Sequence, residues 1–94
     1  MTEADYRVIS IFKIIGEPIR YQILEILNKN EMTVTQIAEC TDRKIPNVSQ
    51  HLRVLRTSGI VGYRTKDNYV LYYLKKKEVI NLIDFARSIL SRRK

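Results

Sequence analysis

Cysteine is nearly absent from this 94-residue chain, and the one copy, Cys40, excludes an internal disulfide framework and a multi-cysteine zinc site. Histidine is equally scarce: His51 has no second imidazole with which to share a metal. No glycine-rich phosphate loop, nucleophile elbow or paired His/Asp constellation occurs, so no catalytic residues are expected and the chain does not read as an enzyme. No cofactor is expected either. No apolar run approaches the roughly 20 residues that a membrane span needs. The opening MTEADYRVIS is acidic where a secretory signal would be basic, which points to a cytoplasmic, intracellular chain with no membrane partner. With three glycines, two prolines and no repeat or low-complexity tract, nothing divides residues 1–94 into more than one domain.

What remains is apolar and basic. Hydrophobic residues make up 45% of the chain, enough for a modest core. Lys and Arg total 17 against 10 Asp and Glu, a formal net charge of +7 that favours polyanionic partners. The excess is uneven. Residues 1–31 carry four basic and five acidic side chains, residues 32–75 seven and three, and residues 76–94 six and two.

Apolar spacing predicts a first helix over about residues 5–15, through Tyr6, Ile9, Phe12 and Ile15. Glu17-Pro18 opens a second, with Ile19, Ile23, Ile26 and Leu27 on one face and Asn28, Lys29 and Asn30 at its end. Thr33 precedes Val34, Ile37 and Ala38 as an N-cap, with Gln36 at capping-box distance, and this short third helix stops near Thr41-Asp42. A fourth runs over about residues 45–58, with Val48, Leu52 and Leu55 turned inward and Gly59 where helices commonly end. The period then changes. Ile60, Val61 and Tyr63, then Val70, Tyr72 and Leu74, flank Lys66-Asp67-Asn68 and predict a hairpin over about residues 60–75. Helical spacing returns over about residues 76–92 in Val79, Leu82, Ile83, Ala86, Ile89 and Leu90, and Arg92-Arg93-Lys94 suits the negative end of a helix dipole. The fold class is mainly α with a small β-hairpin: four helices, two strands, one helix.

A short helix, a tight turn and a second helix over about residues 33–58, followed by a hairpin, is the layout of a winged helix-turn-helix. The second helix of such a pair is narrow enough to enter a major groove, while the hairpin lies along the backbone or minor groove. The expected partner is double-stranded DNA. Asn47 and Gln50 suit adenine, and Arg53 suits guanine or a phosphate, with Lys44 and His51 also left for DNA. Arg56 suits a phosphate or a surface carboxylate, and Arg64 and Lys66 in the wing suit phosphate or minor groove. The first and last helices carry more apolar surface than one small domain covers, which suits a homodimer built through them.

The segment GEPIRYQILEIL resembles the start of the second helix in the ArsR/SmtB family. The segment TVTQIAECTDRKIPNVSQHLRVLRTSGIV resembles that family's helix-turn-helix, above all in V-S-x-H-L-x-x-L-R-x-x-G-[IL]-V. The resemblance runs from about Ile9 to the C-terminus. It implies a homodimer of first and last helices, with paired recognition helices repressing from a two-fold symmetric operator, and it implies that Ser49 and His51 face the groove or backbone. The family's metal-sensing members carry cysteines in E-L-C-V-C-D-L, where this chain has Glu31-Met32-Thr33-Val34-Thr35-Gln36-Ile37. Its zinc-sensing members supply Asp and His from the last helix, which here has Asp84 and no histidine. Hydroxyls are poor ligands for soft or borderline metals, so no metal site is expected. Arg43 stands where the family has an apolar residue and Lys44 where it has an N-cap serine; both add charge beside DNA and leave the start of the fourth helix open.

Cys40, three residues after Ile37, reads as a small core residue; an exposed thiol beside Arg43 and Lys44 would read instead as a redox switch or an intersubunit disulfide. Half of Tyr63, Tyr69, Tyr72 and Tyr73 should pack against the last helix, the alternative being a stacking platform for single strands. The function expected is a sequence-specific, dimeric, nucleoid-associated transcriptional regulator. The alternatives are a winged-helix protein-interaction module and a non-specific architectural DNA-binding protein.

Overall fold

Capping side chains set where the first three helices begin. Thr2 and Asp5 form a reciprocal capping box: the Asp5 N–H donates to Thr2 Oγ1 at 3.1 Å and the Thr2 N–H to Asp5 Oδ2 at 2.8 Å, starting α1 (Glu3–Ile15). Glu17 caps α2 (Pro18–Lys29) by accepting the Arg20 N–H at 2.9 Å, with Pro18 in the first turn, where its missing N–H leaves no helical bond unmade. Thr33 and Gln36 repeat the box at α3 (Val34–Thr41), with distances of 3.2 and 2.9 Å. The fourth helix, α4 (Ile45–Thr57), starts after Lys44, whose side chain makes no capping bond. The computed structural model describes residues 1–91; Arg92, Arg93 and Lys94, where a basic helix end is expected, lie outside the described residues.

Two helix ends are built alike. After α4 the Gly59 N–H donates to the Arg56 carbonyl and the Ile60 N–H to the Leu55 carbonyl, both at 3.0 Å, with Gly59 at φ 81. This is the paired-bond termination in which a left-handed residue reverses the chain, and glycine adopts it without a Cβ clash. After α3, Asp42 takes the left-handed place at φ 55, and Arg43 and Asp42 donate to the carbonyls of Ala38 and Glu39 at 3.0 and 3.4 Å. That reversal is the turn between α3 and α4.

The strands β1 (Val61–Lys66) and β2 (Tyr69–Leu74) pair antiparallel from Val61↔Leu74 to Lys66↔Tyr69, leaving the two-residue turn Asp67-Asn68. On the other edge of β2, Met32 exchanges backbone bonds with Tyr72 at 3.1 and 2.8 Å. A side chain at Gly62 would stand 2.6 Å from the Tyr73 ring, so glycine lets that ring lie across β1. The last helix, α5, spans Glu78–Ser91.

Ile23 and Leu24 of α2, Ile37 of α3, Val48, Leu52 and Leu55 of α4, and Val61 of β1 are fully buried at the centre, joined by Ile15, Val79 and Ile83. Leu24 belongs to this core although Ile26, only half-buried, was expected to. The hairpin packs on α2, α3 and α4, not chiefly on the last helix as expected; Tyr72 and Tyr73 are half-buried there, while Tyr63 and Tyr69 are exposed. The last helix is pinned to α2 by Arg87, which reaches Glu25 Oε2 at 2.8 Å and the Tyr21 hydroxyl at 3.0 Å. Among the described residues no helix is long and apolar enough to cross a membrane.

The two hydrogen bonds of the Thr33–Gln36 box begin the helix-turn-helix, so Thr33→Ala should lower unfolding free energy by about 1 kcal/mol in urea titration. Thr35→Ala, on the exposed side of the same turn, should change it by less than about 0.5 kcal/mol.

Candidate nucleic-acid interface

The inward stripe of α4 decides what its other sides present. With Val48, Leu52 and Leu55 buried, the 100° step per residue places Gln50 and Arg53 outward, Ser49 and Arg56 toward the hairpin, and Asn47 and His51 toward α2. Lys44, Ser49, Gln50, Arg53 and Arg56 are all exposed. Ser49, Gln50, Arg53 and Arg56 line a cleft of about 290 Å³ between α4 and the hairpin, floored by Leu52 and Tyr72. Its width and donors suit an anionic backbone.

The hairpin braces this cleft through aromatic contact. The Arg56 guanidinium lies 5.0 Å from the Tyr63 ring centroid, and Tyr63 in turn meets Tyr72 at 6.0 Å and 45°. Arg56, expected on a phosphate or a carboxylate, rests on a ring face that leaves its in-plane N–H donors available. Side chains alternate along β1, so Arg64 points to the opposite face of the hairpin from Tyr63. There two Arg64 donors converge on Glu31 Oε1 at 2.7 and 2.9 Å. Lys66 is exposed beside the Asp67-Asn68 turn, at the wing tip.

Three residues stand elsewhere than the sequence suggested. His51 is turned from the outer face toward α2, with Nδ1 at 3.2 Å from Arg20 Nη1 and 3.7 Å from Glu17 Oε1. The helical step explains this, since His51 lies on the flank beside the α2 N-terminus and not opposite the core. Asn47, on the same flank, is half-buried, and its Oδ1 is buried without a hydrogen-bond partner, so its amide does not present both groups to a base. Cys40 is exposed and not a core residue: it lies off the side of α3 that buries Ile37, Ala38 and Thr41, with Sγ 4.0 Å from Met32 Sδ. Among the described residues no three His, Cys, Asp or Glu side chains form a group that could hold a metal.

Sequence spacing missed Ile45. It lies three and seven residues before Val48 and Leu52, on their stripe, yet it is 44% exposed beside the exposed Pro46, because the first turn of α4 projects past the core. It also missed Glu17 and Arg20 as partners of α4. Burial alone would raise the Glu17 carboxyl, but the Arg20 N–H bond and, in acid where the imidazole takes up a proton, the charge on His51 outweigh it and hold the group below its ordinary value. A carboxylate lowered by folding adds stability above its unfolded pKa and loses it as pH falls through the folded one. The stability advantage of the native chain over Glu17→Gln should therefore shrink between about pH 5 and pH 3, measured by urea unfolding at each pH.

Residues 17–63, from the α2 cap into β1, match the family described as bacterial regulatory protein, arsR family. The chain is 37% identical over 78 residues to MJ1325 of Methanocaldococcus jannaschii, an uncharacterised HTH-type transcriptional regulator, covering 79% of this chain and 88% of that one. It is 26% identical over 83 residues to the transcriptional repressor SdpR of Bacillus subtilis, covering 88% and 92%. Its fold superposes on the crystal structure of Rv0081 from Mycobacterium tuberculosis with a TM-score of 0.88 at 28% identity, over 98% of this chain and 93% of that one. A helix-turn-helix with an exposed polar recognition face, a hairpin wing braced against it and these matches together place the chain: it is a winged helix-turn-helix transcriptional regulator and belongs to the arsR family.

Proposed function

We propose that this protein is a homodimeric repressor that reads a two-fold symmetric DNA operator with α4 and the hairpin, and that it does so without sensing a metal. The observation that carries the reading is the outward face of α4, where Gln50 and Arg53 stand exposed beside the Ser49–Arg56 cleft. Gln50 has the paired donor and acceptor that adenine requires, and Arg53 the fork that suits guanine or phosphate. Ser49, Arg56, Lys44 and Lys66 supply backbone contacts that fix orientation. Ile45 adds an apolar contact at the helix tip, and the apolar group a major groove offers is the thymine methyl.

Support for two copies comes from the other end of the molecule. Phe85, Ile89 and Leu90 of α5 are 72%, 74% and 66% exposed, and Phe12 of α1 is exposed beside them along an apolar depression of about 500 Å³. Such a face is costly in water and suits a second copy. Repression accords with the name of the relative SdpR. Thr33 uses its hydroxyl as a helix cap, in a stretch where sensing relatives carry thiolates, which supports a regulator without a metal.

Selection of bound duplexes from a random pool should return a palindrome, and raising salt should weaken its binding steeply. Gln50→Ala and Arg53→Ala should each weaken the selected site by about fivefold to 150-fold in fluorescence anisotropy. Binding indifferent to sequence at every salt concentration would overturn the regulator reading in favour of an architectural one. In the selected site, deoxyuridine in place of the thymine facing Ile45 should cost a few-fold in affinity, and Ile45→Ala should remove that difference. Phe85→Asp with Ile89→Asp should convert the dimer to a monomer in sedimentation velocity and abolish preference for the full palindrome over one half-site.

A further inference from the structure

We propose that Arg20 is a positioning residue for DNA recognition: by bonding the C-terminal end of α1 on one side and His51 of α4 on the other, it sets the angle at which α4 meets the groove. The proposal rests on the DNA-binding reading above and adds to it a residue that touches no DNA.

The argument begins with the α1 terminus. The last carbonyls of a helix have no intrahelical donor, and a cation there also meets the negative end of the helix dipole. Arg20 Nε donates to the Ile14 carbonyl at 2.9 Å, and Nη2 to the Lys13 carbonyl at 3.5 Å. The third nitrogen, Nη1, faces His51 Nδ1 at 3.2 Å. All three guanidinium nitrogens are thus engaged within the protein, in a half-buried position, and the planar group joins three helices at once. Its own backbone N–H is held by Glu17, whose Oε1 also lies 3.7 Å from His51 Nδ1.

The chemistry of this contact assigns the role of each atom in it. A guanidinium donates and cannot accept, so in this contact Nδ1 is the acceptor and the ring N–H is on Nε2. The contact is also mechanically placed. Val48, Leu52 and Leu55 hold α4 to the core along one side of the helix. The bond to His51 lies off that side, on the α2 flank, while the Arg56–Tyr63 contact braces the hairpin flank. Between them these two contacts fix the roll of the helix, and with it the direction in which Gln50 and Arg53 point. Because the α1 end of the link lies beside the apolar face of α1, the same guanidinium ties the orientation of α4 to the placement of α1.

A residue that orients α4 and one that binds phosphate differ in what their loss does. Losing a phosphate contact lowers binding to all sequences and reduces the slope of log K against log salt by about one per contact. Losing a positioning contact should spare both and reduce only the preference for the selected site. The test measures binding of the tightest duplex from a random pool, and of a shuffled duplex, at several salt concentrations. The variants are Arg20→Met, His51→Leu, their double and His51→Asn, which keeps an acceptor near the place of Nδ1. Circular dichroism confirms that each is folded at the assay temperature, and sedimentation that each has the native oligomeric state.

Arg20→Met and His51→Leu should each weaken the selected duplex by about tenfold and leave the shuffled duplex and the salt slope unchanged. The double should be no worse than either single, and His51→Asn should recover most of the loss. A reduced slope, additive losses, or His51→Asn no better than His51→Leu would overturn the proposal. If Arg20→Met does not fold, Arg20→Lys serves, since a single ammonium cannot span the two α1 carbonyls and His51. Native protein with no preference for any duplex would defeat the DNA reading itself; native preference shared by every variant would defeat this proposal alone.

Discussion

The burial of Val48, Leu52 and Leu55 against Ile23, Leu24 and Ile37 is the constraint from which the other parts of the structure take their positions. It holds α4 on top of α2 and α3, so that the opposite side of the helix stands clear of the protein. It also fixes the end of α4, because Leu55 and Ile60 are both buried and their backbone bond closes the reversal at Gly59. From that reversal the hairpin has one direction to take. Large-to-small changes at such fully buried positions cost about 2 to 5 kcal/mol, a large share of the stability of a domain this small. The exposed polar residues of α4, by contrast, sit where substitution costs the fold little. The division lets the reading face change without disturbing the scaffold.

Around that constraint the polar contacts act as braces more than as stabilisers. The Arg64–Glu31 pair joins the hairpin to the segment before α3, and the Arg87–Glu25 pair joins α5 to α2. Both are substantially solvent-exposed, and pairs of that kind contribute about 0 to 1 kcal/mol. Their effect is geometric: each sets the angle between two elements that already touch through apolar side chains. Arg64, the wing arginine that suits phosphate, is paired in this structure with a carboxylate on the protein.

Local chemistry was the readable part of the sequence. The Thr33–Gln36 box, the Pro18 start and the reversal at Gly59 depend on neighbours within a few positions, and each stands where spacing placed it; the hairpin turn is shorter than expected, because Lys66 pairs with Tyr69 as the last residue of β1. The stripe Val48–Leu52–Leu55 was legible for the same reason. What was not legible depends on contacts between distant residues. Arg20 and His51 are 31 positions apart, and Arg64 and Glu31 are 33 apart. Periodicity assigns a side of a helix but not what packs there, so His51 was placed on the groove side and the tyrosines against the wrong helix. Ile45 shows the limit at helix ends, where a residue keeps the periodicity of the core after the core has stopped.

The first helix has one further consequence. It buries only Ile15, yet it is closed at both ends, by the Thr2–Asp5 box and by Arg20 on its final carbonyls. Its ends are therefore capped within the protein itself, and Ile14 and Ile15 hold it to the core. A second copy docking there, as proposed above, would meet a helix already formed. Such an association would not have to order that segment on contact, and its rate would be governed by orientation and diffusion.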